Sequence, residues 1–227
     1  RVPAPCGLML DSDGVMYVAS DSQHQIYRVS PLGDLKPYAY GINNPRGLAV
    51  DDLGNLYVSL GQSNAILKVE DRGADGYRTR PFLAGIAAPH SVTWRNGRLY
   101  IAHRDAGSVS SADANGALRT EASGLTYPGG ADVGADGTIY VGKYGASTSG
   151  EYVRGVTWAQ DAHDGGLQII APNGGVSMRS PVMFQRDHGM TGLDDGTIFA
   201  IHSAYRRALV MYASTDGPDS SYRYRIL

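Results

Sequence analysis

The sequence predicts an all-β fold, a β-propeller of four-stranded antiparallel blades, and the first observation behind this prediction is an internal repeat. A proline or aspartate, an apolar run, Asp-Gly or a close variant, and then an aromatic residue recur along the chain. The glycines of the five units are Gly14, Gly54, Gly97, Gly137 and Gly196, spaced by 40, 43, 40 and 59 residues. A period near 40 residues with one hairpin signal per unit is typical of radial β-repeats.

The second observation is the strand-like alternation within each unit. In the second unit, residues 47–50 and 55–59 flank a turn at 51–54 that has the residues of a hairpin. Residues 65–69 predict a third strand and residues 77–82 an outer one. Four antiparallel strands per unit make one blade, so we expect five blades, with a six-bladed parent as the alternative.

Length and composition fit a single domain over residues 1–227. Charged residues make up 19% of the chain and the formal net charge is −2. This balance disfavours nucleic acid and an anionic membrane surface as general partners. No apolar stretch has the length of a membrane span. We expect a monomer that binds a small-molecule or peptide substrate.

The single cysteine, Cys6, excludes an internal disulfide, so the cysteine content leaves the compartment open. The chain begins at Arg1 without a methionine, as removal of a leader or of another upstream segment would leave it. An extracellular or periplasmic location is therefore the expectation.

Antiparallel topology predicts where a functional site lies. The start of the inner strand and the end of the second strand share one end of a blade, because the hairpin between them is at the other end. Residues at these positions ring one mouth of the central channel. The first set is Cys6, Arg46, His90, Gly129 and His188, and the second set is Ser20, Leu60, His103, Lys143 and His202. Four of the six histidines and the only cysteine lie on this rim.

Three rim residues from units one, three and five have side chains suited to a transition metal: Cys6, His90 and His188. Imidazole and thiolate bind zinc, copper and iron, and a channel rim can hold three ligands with one position open for substrate. We expect a divalent transition metal here, zinc in the first place, with copper or iron as alternatives. The competing interpretation is that these polar residues line a water-filled channel mouth and bind no metal.

Other residues near the mouth are candidates for catalysis and substrate binding. Arg46 would orient a carboxylate or stabilise negative charge through its forked donors. The candidate bases are His103, His202 and Tyr144, and Lys143 and Arg104 are candidate substrate contacts. The alternative for Arg46 is an exposed charge in the funnel.

An insertion over residues 145–165 joins the second and third strands of unit four and emerges at the same mouth. Long loops in compact domains are often lids or specificity elements. Tyr152 and Trp158 would supply aromatic walls for a small ligand. The alternative is a surface loop that the fold tolerates and that has no functional role.

The unit resembles the NHL-type repeat, whose Pro-x-Gly opening, apolar alternation and Asp-x-x-Gly-x-Leu-Tyr-Val pattern stand here from Pro45 to Val58, followed by Ile66-Leu67-Lys68-Val69. The resemblance covers essentially the whole chain. It implies a propeller, and such propellers include enzymes, RNA readers and protein-binding platforms.

A narrower resemblance is to the peptidyl-hydroxyglycine amidating lyases. Residues 5–14, 89–93 and 187–190 are similar to the three inner-strand openings that each carry a zinc-ligand histidine in that family. The resemblance implies His90 and His188 as zinc ligands, with Cys6 in place of the third histidine. Gln62 stands nearest to where the family has its catalytic tyrosine, so the chain departs from the pattern for the lyase reaction.

Three functions remain after motifs for serine hydrolases, phosphate loops and zinc proteases are found absent from the sequence. The first, which we favour, is a metal-dependent lyase or hydrolase acting on a small or peptide-like substrate. The second is a metal-free or calcium-dependent hydrolase resembling the gluconolactonases, whose Glu and Asn ligands are not at these openings. The third is a noncatalytic platform that binds a peptide, glycan or RNA through Arg46, Arg104, Arg206, Arg207 and tyrosines.

Overall fold

The protein is described by a computed structural model that covers residues 1–73, 76–125, 127–143, 166–179, 187–192, 198–202, 207–213 and 222–226. Side chains are described up to residue 142, with the gaps just given, and again over residues 168–177. Within these ranges the chain forms β-strands grouped into four-stranded antiparallel sheets, and one turn of 3-10 helix at Gly61–Ser63. No helix in the described part of the chain has the length and apolarity that crossing a bilayer requires.

The strands follow the repeat of the sequence. The first sheet contains β1 (Pro5–Leu10), β2 (Met16–Ser20), β3 (Gln25–Val29) and β4 (Leu35–Tyr40). The second contains β5 (Pro45–Val50), β6 (Leu56–Leu60), β7 (Ala65–Asp71) and β8 (Tyr77–Ala84). The third contains β9 (Pro89–Arg95), β10 (Arg98–His103), β11 (Ser108–Asp113) and β12 (Leu118–Ala122).

The fourth sheet contains β13 (Pro128–Val133), β14 (Ile139–Lys143), β15 (Gly166–Ile170) and β16 (Val176–Arg179). The last contains β17 (Asp187–Gly192), β18 (Ile198–His202), β19 (Arg207–Ala213) and β20 (Tyr222–Ile226), and is described by its backbone. The insertion predicted at 145–165 lies outside the described residues.

The first strands of successive sheets are neighbours around a common centre. Strand β1 contacts β5, β5 contacts β9, β9 contacts β13, β13 contacts β17, and β17 also contacts β1. In every sheet the remaining strands follow in chain order away from this centre. This radial arrangement confirms the prediction of an all-β propeller.

The hydrophobic core lies between the sheets, because alternate residues of a strand face opposite neighbours. Along β6, Leu56 and Val58 pack against the first sheet, whereas Tyr57 packs toward the third. Every residue of β6 is therefore buried. The repeated aromatics Tyr17 and Tyr100 are also buried in inter-sheet clusters. This matches their interpretation as core residues.

The inner hairpins turn through an aspartate that accepts backbone hydrogen bonds. Asp51 Oδ1 accepts from the N–H groups of Leu53 at 3.0 Å and Asn55 at 2.8 Å. Asp11 Oδ1 does the same for Asp13 at 3.0 Å and Val15 at 2.8 Å. This Asx-turn geometry explains the aspartates at the hairpin end of the propeller, opposite the predicted mouth.

Candidate functional site at the mouth of the channel

The strand register brings the predicted rim positions to one end of each sheet. The opening residue of each inner strand pairs with the last residue of the second strand: Pro5 with Ser20, Pro45 with Leu60, Pro89 with His103, Pro128 with Lys143, and Asp187 with His202. Each of these inner pairs also has a register shift at its mouth end. Such irregularities re-aim side chains and recur next to functional sites.

Close backbone packing explains the glycine that follows two positions after the opening residue. A Cβ on Gly7 would clash with the carbonyl oxygen of Arg46. A Cβ on Gly47 would lie 2.9 Å from the carbonyl oxygen of His90 and 2.8 Å from the backbone nitrogen of Val92. Inner strands of neighbouring sheets therefore touch backbone to backbone. Cys6 and Arg46, which directly precede these glycines, therefore lie where two inner strands are in close contact.

Ser59 adds a hydrogen-bonded link between the second and third sheets at the same end. Its Oγ donates to the carbonyl oxygen of His90 at 2.6 Å and accepts from the N–H of Gly47 at 2.7 Å. The backbone around His90 is thus fixed by a neighbouring sheet as well as by its own strand.

His90 is half-buried at the rim with a defined tautomer. Its Nδ1 lies 2.8 Å from the carbonyl oxygen of Gly129 in the next sheet. A carbonyl oxygen can only accept, so Nδ1 carries the proton and the lone pair of the neutral ring is on Nε2. Metal-bound and catalytic histidines are commonly oriented in this way by a backbone carbonyl.

Cys6 lies at the rim with its thiol hydrogen-bonded to the neighbouring sheet. Its Sγ donates to the carbonyl oxygen of Pro45 at 2.9 Å. Burial, assisted by the negative charge of Asp21, raises the pKa of the Cys6 thiol to about 11. The thiolate is the form that binds metals. The Cys6 side chain is therefore a protonated hydrogen-bond donor at neutral pH.

Arg46 lies at the rim beside a carboxylate that the sequence analysis missed. Its Nη2 is 3.7 Å from Asp21 Oδ2, and the two side chains are 32% and 34% exposed. Among the described atoms, Asp21 Oδ1 is buried without a hydrogen-bond partner. Asp21 directly follows Ser20 in the chain, so a search one residue beyond the second strand would have found it. The mouth between the first two sheets thus combines Cys6, Asp21 and Arg46.

Two residues of the second rim set donate hydrogen bonds to the chain segment that precedes an inner strand. His103 Nδ1 donates to the carbonyl oxygen of Ala87 at 2.6 Å, and Ser20 Oγ donates to that of Pro3 at 2.5 Å. Pro3 and Ala87 both lie two residues before an opening proline. Ser20 and His103 therefore hold the same part of the segments that precede β1 and β9.

His103 itself is buried, which bears on its predicted role as a base. Its Nε2 lies 2.7 Å from Ser110 Oγ, so both ring nitrogens are engaged. Burial lowers the pKa of His103, opposed by the bond to Ala87. These contacts are those of a neutral, structural histidine rather than of a base open to substrate.

The remaining predicted residues are described less fully. Arg104 Nε lies 2.9 Å from Asp105 Oδ1 in an exposed ion pair. The backbones of Lys143, His188 and His202 lie in strands at the mouth, while their side chains are outside the description. Tyr144, Tyr152 and Trp158 lie outside the described residues. Within the described part of the chain, no three His, Cys, Asp or Glu side chains are grouped closely enough to hold a metal.

Comparisons with known proteins bear on the fold. No family model and no curated protein matches the chain. Virginiamycin B lyase from Staphylococcus aureus is similar in structure, with 12% identity and a TM-score of 0.66 over 99% of this chain and 70% of that one. A catalytically inactive variant of the same lyase, with one histidine replaced by alanine and quinupristin present, has 14% identity and a TM-score of 0.66 over 97% of this chain and 69% of that one.

A chain of the nidogen–laminin complex is similar as well, with 18% identity and a TM-score of 0.73 over 93% of this chain and 76% of that one. At such identities the likeness concerns the fold alone. The comparisons show that this chain has a β-propeller fold, shared with a lyase and with a component of a protein complex.

Proposed function

We propose that this protein is a lyase or hydrolase that acts on a small or peptide-like substrate at the channel mouth, with His90 at the centre of the site. The observation that carries the proposal is the hydrogen bond of His90 Nδ1 to the carbonyl oxygen of Gly129 at 2.8 Å, which directs the lone pair to Nε2. The similarity to virginiamycin B lyase supports the choice of class, since replacing one histidine of that enzyme gives an inactive variant.

A divalent transition metal, zinc in the first place, is part of this proposal, and its ligands would be His90 and His188. The tautomer of His90 fits a metal on Nε2. His188 follows Asp187, which pairs with His202 as Pro89 pairs with His103. Cys6 fits less well, because its thiol would first have to lose its proton and its hydrogen bond to Pro45. When bound, the metal would polarise a substrate oxygen or acidify a bound water.

The chain's own residues would bind and orient the substrate. The Arg46 guanidinium, one third exposed, would hold a carboxylate or carbonyl oxygen of the substrate in competition with Asp21. His202 and Tyr144 are the proposed bases, because His103 has both nitrogens engaged. Lys143, Arg104, Tyr152 and Trp158 remain proposed substrate contacts.

Elemental analysis by mass spectrometry tests the proposal. We expect about one zinc, copper or iron per chain in the purified protein, and loss of that metal in the double variant His90→Ala, His188→Ala. The control His24→Ala, at an exposed position in another loop, should keep it. Cys6→Ser should also keep most of the metal, because the thiol is a hydrogen-bond donor. A protein that binds no metal after reconstitution, or a double variant that retains it, would refute the metal site.

A second candidate is a noncatalytic platform for a peptide or glycan, favoured by the similarity to a chain of the nidogen–laminin complex. RNA is the weaker form of this alternative, because the net charge is −2. A platform would bind its partner with unchanged affinity in the His90→Ala, His188→Ala variant, whereas an enzyme would lose turnover.

We also propose that the chain contributes five blades, one for each unit of the sequence, with a six-bladed ring as the alternative. Support comes from the four sheets with described side chains and from the backbone of the last sheet, whose strand β17 contacts β1.

A further inference from the structure

The residue before each opening proline has an unusual backbone conformation. Ala4, Asn44, Ala88 and Tyr127 have φ angles of 39°, 49°, 29° and 42°. Positive φ is unfavourable for residues other than glycine, and a following proline normally pushes a residue toward extended conformations. The strain recurs before four opening prolines, and at Asn44, Ala88 and Tyr127 the chain turns there from an outer strand into the next inner strand.

Tyr127 differs from its three counterparts in size. Asparagine tolerates the left-handed region and alanine is small, but a bulky side chain at positive φ is an outlier. The Tyr127 side chain is 46% exposed, so burial does little to offset the strain. Residues kept in strained conformations cluster at functional sites.

The place of Tyr127 connects this strain to the proposed site. Tyr127 lies two residues before Gly129, whose carbonyl oxygen is 2.8 Å from His90 Nδ1. Two residues span at most about 7 Å. The Tyr127 backbone is therefore close to the histidine at the rim. Pro128, which is buried at the start of β13, anchors it there.

We propose that Tyr127 is a substrate-contacting residue that selects peptide-like ligands carrying an aromatic side chain. This inference rests on the proposed site at the mouth. A tyrosine ring offers a large rigid face at a low entropic cost, and it stacks offset or edge-on with other aromatic rings. The linker fixes the backbone that carries this ring before the ligand arrives, which reduces the cost of ordering the segment on binding. His90 lies on the neighbouring strand, where it meets the polar group of the same ligand.

Titration by ligand-observed NMR tests the inference with N-acetyl-phenylalaninamide, N-acetyl-leucinamide and N-acetyl-glycinamide as probes. We expect the phenylalanine amide to bind most tightly to the native protein. Tyr127→Asn should weaken its binding about tenfold and abolish the preference over leucine, because the stacking partner is gone. Tyr127→Phe should keep the preference.

A matched control separates the side chain from the backbone. Asparagine at 127 and glycine at 88 both relieve positive-φ strain, so each variant should raise the melting temperature by roughly 2 to 4 °C. Ala88→Gly should leave binding of the phenylalanine amide unchanged. Native affinity in Tyr127→Asn, or no binding of the aromatic amide by the native protein, would overturn the inference.

The titrations are run with and without a chelator, so that failure of this inference can be told apart from failure of the proposed metal site. Binding that depends on Tyr127 in the metal-stripped protein would support this inference even if elemental analysis finds no metal. A metal-loaded protein with no preference for the aromatic amide would overturn this inference and leave the metal site standing.

Discussion

His90 and His103 each donate an Nδ1–H to a backbone carbonyl near the mouth, at 2.8 Å and 2.6 Å. The two histidines differ in burial. His103 is buried and its Nε2 accepts from Ser110, whereas His90 is half-buried at the rim. Cys6 shows the same dependence on its surroundings, because burial and the negative charge of Asp21 raise the pKa of its thiol and keep it protonated. Residue type alone therefore does not decide which rim residue is reactive.

The burial of His103 predicts a pH dependence of stability. Its folded-state pKa is lowered, so below the usual histidine pKa of about 6.5 the unfolded chain binds a proton more readily than the folded protein. Stability should be fully present above that pH and should fall as the pH drops toward the lowered folded value. Urea unfolding between pH 8 and pH 5 measures this slope.

Two variants isolate the contribution of His103. His103→Asn should be less stable at pH 8 but should show a flatter pH profile, because the titrating ring is gone. Ser110→Ala, which removes the partner of His103 Nε2 but keeps the buried titrating ring, should keep a pH-dependent slope. Equal slopes in the native protein and in His103→Asn would contradict this assignment.

At the scale of elements, the second sheet has a polar network at its hairpin end, and the tyrosine of this network packs against the third sheet. Asp51 Oδ2 accepts from Tyr57 OH at 3.1 Å and lies 3.4 Å from Lys68 Nζ. The Tyr57 ring stacks on Trp94 of the third sheet with centroids 5.4 Å apart. The aspartate that shapes the hairpin thus also neutralises a buried lysine within the inter-sheet core.

Asp51→Ala should therefore destabilise the protein by about 3 to 5 kcal/mol, since it leaves the Lys68 ammonium buried without its partner. Asp11→Ala is the matched control, because Asp11 caps the equivalent turn of the first sheet through two backbone bonds. That change should cost only about 1 kcal/mol. The free energies of unfolding in urea give the comparison, and similar losses in the two variants would argue against the network.

At the scale of the whole molecule, each sheet packs one face against the preceding sheet and the other face against the following sheet. Leu48 and Val92 occupy matching positions in β5 and β9 and are each 6% exposed. Leu8 occupies the same position in β1 and is 57% exposed, with Leu10 beside it at 61%. The first sheet therefore keeps an apolar face that the described neighbours leave largely uncovered.

Replacing these leucines by aspartate measures how far that face is covered in solution. From its exposure we expect Leu8→Asp to cost under about 1 kcal/mol, whereas Leu48→Asp should cost at least about 3 kcal/mol by burying a charge in the core. Thermal or urea unfolding gives both values. A loss for Leu8→Asp as large as that for Leu48→Asp would show that the first sheet is covered on this face as the others are.

The sequence by itself determined the repeat, the four strands per unit and the rim positions, because turn residues and two-residue alternation act over a few neighbours. Only the tertiary structure decided the chemistry of the rim. The partners that accept hydrogen bonds from Cys6, His90 and His103 are backbone carbonyls of other strands and linkers. The pairing of Arg46 with Asp21 and the strain at Tyr127 were missed for the same reason, although Asp21 itself lies only one residue beyond a predicted rim position. Such contacts depend on how sheets about 40 residues apart pack against each other, and a repeat pattern does not encode that local geometry.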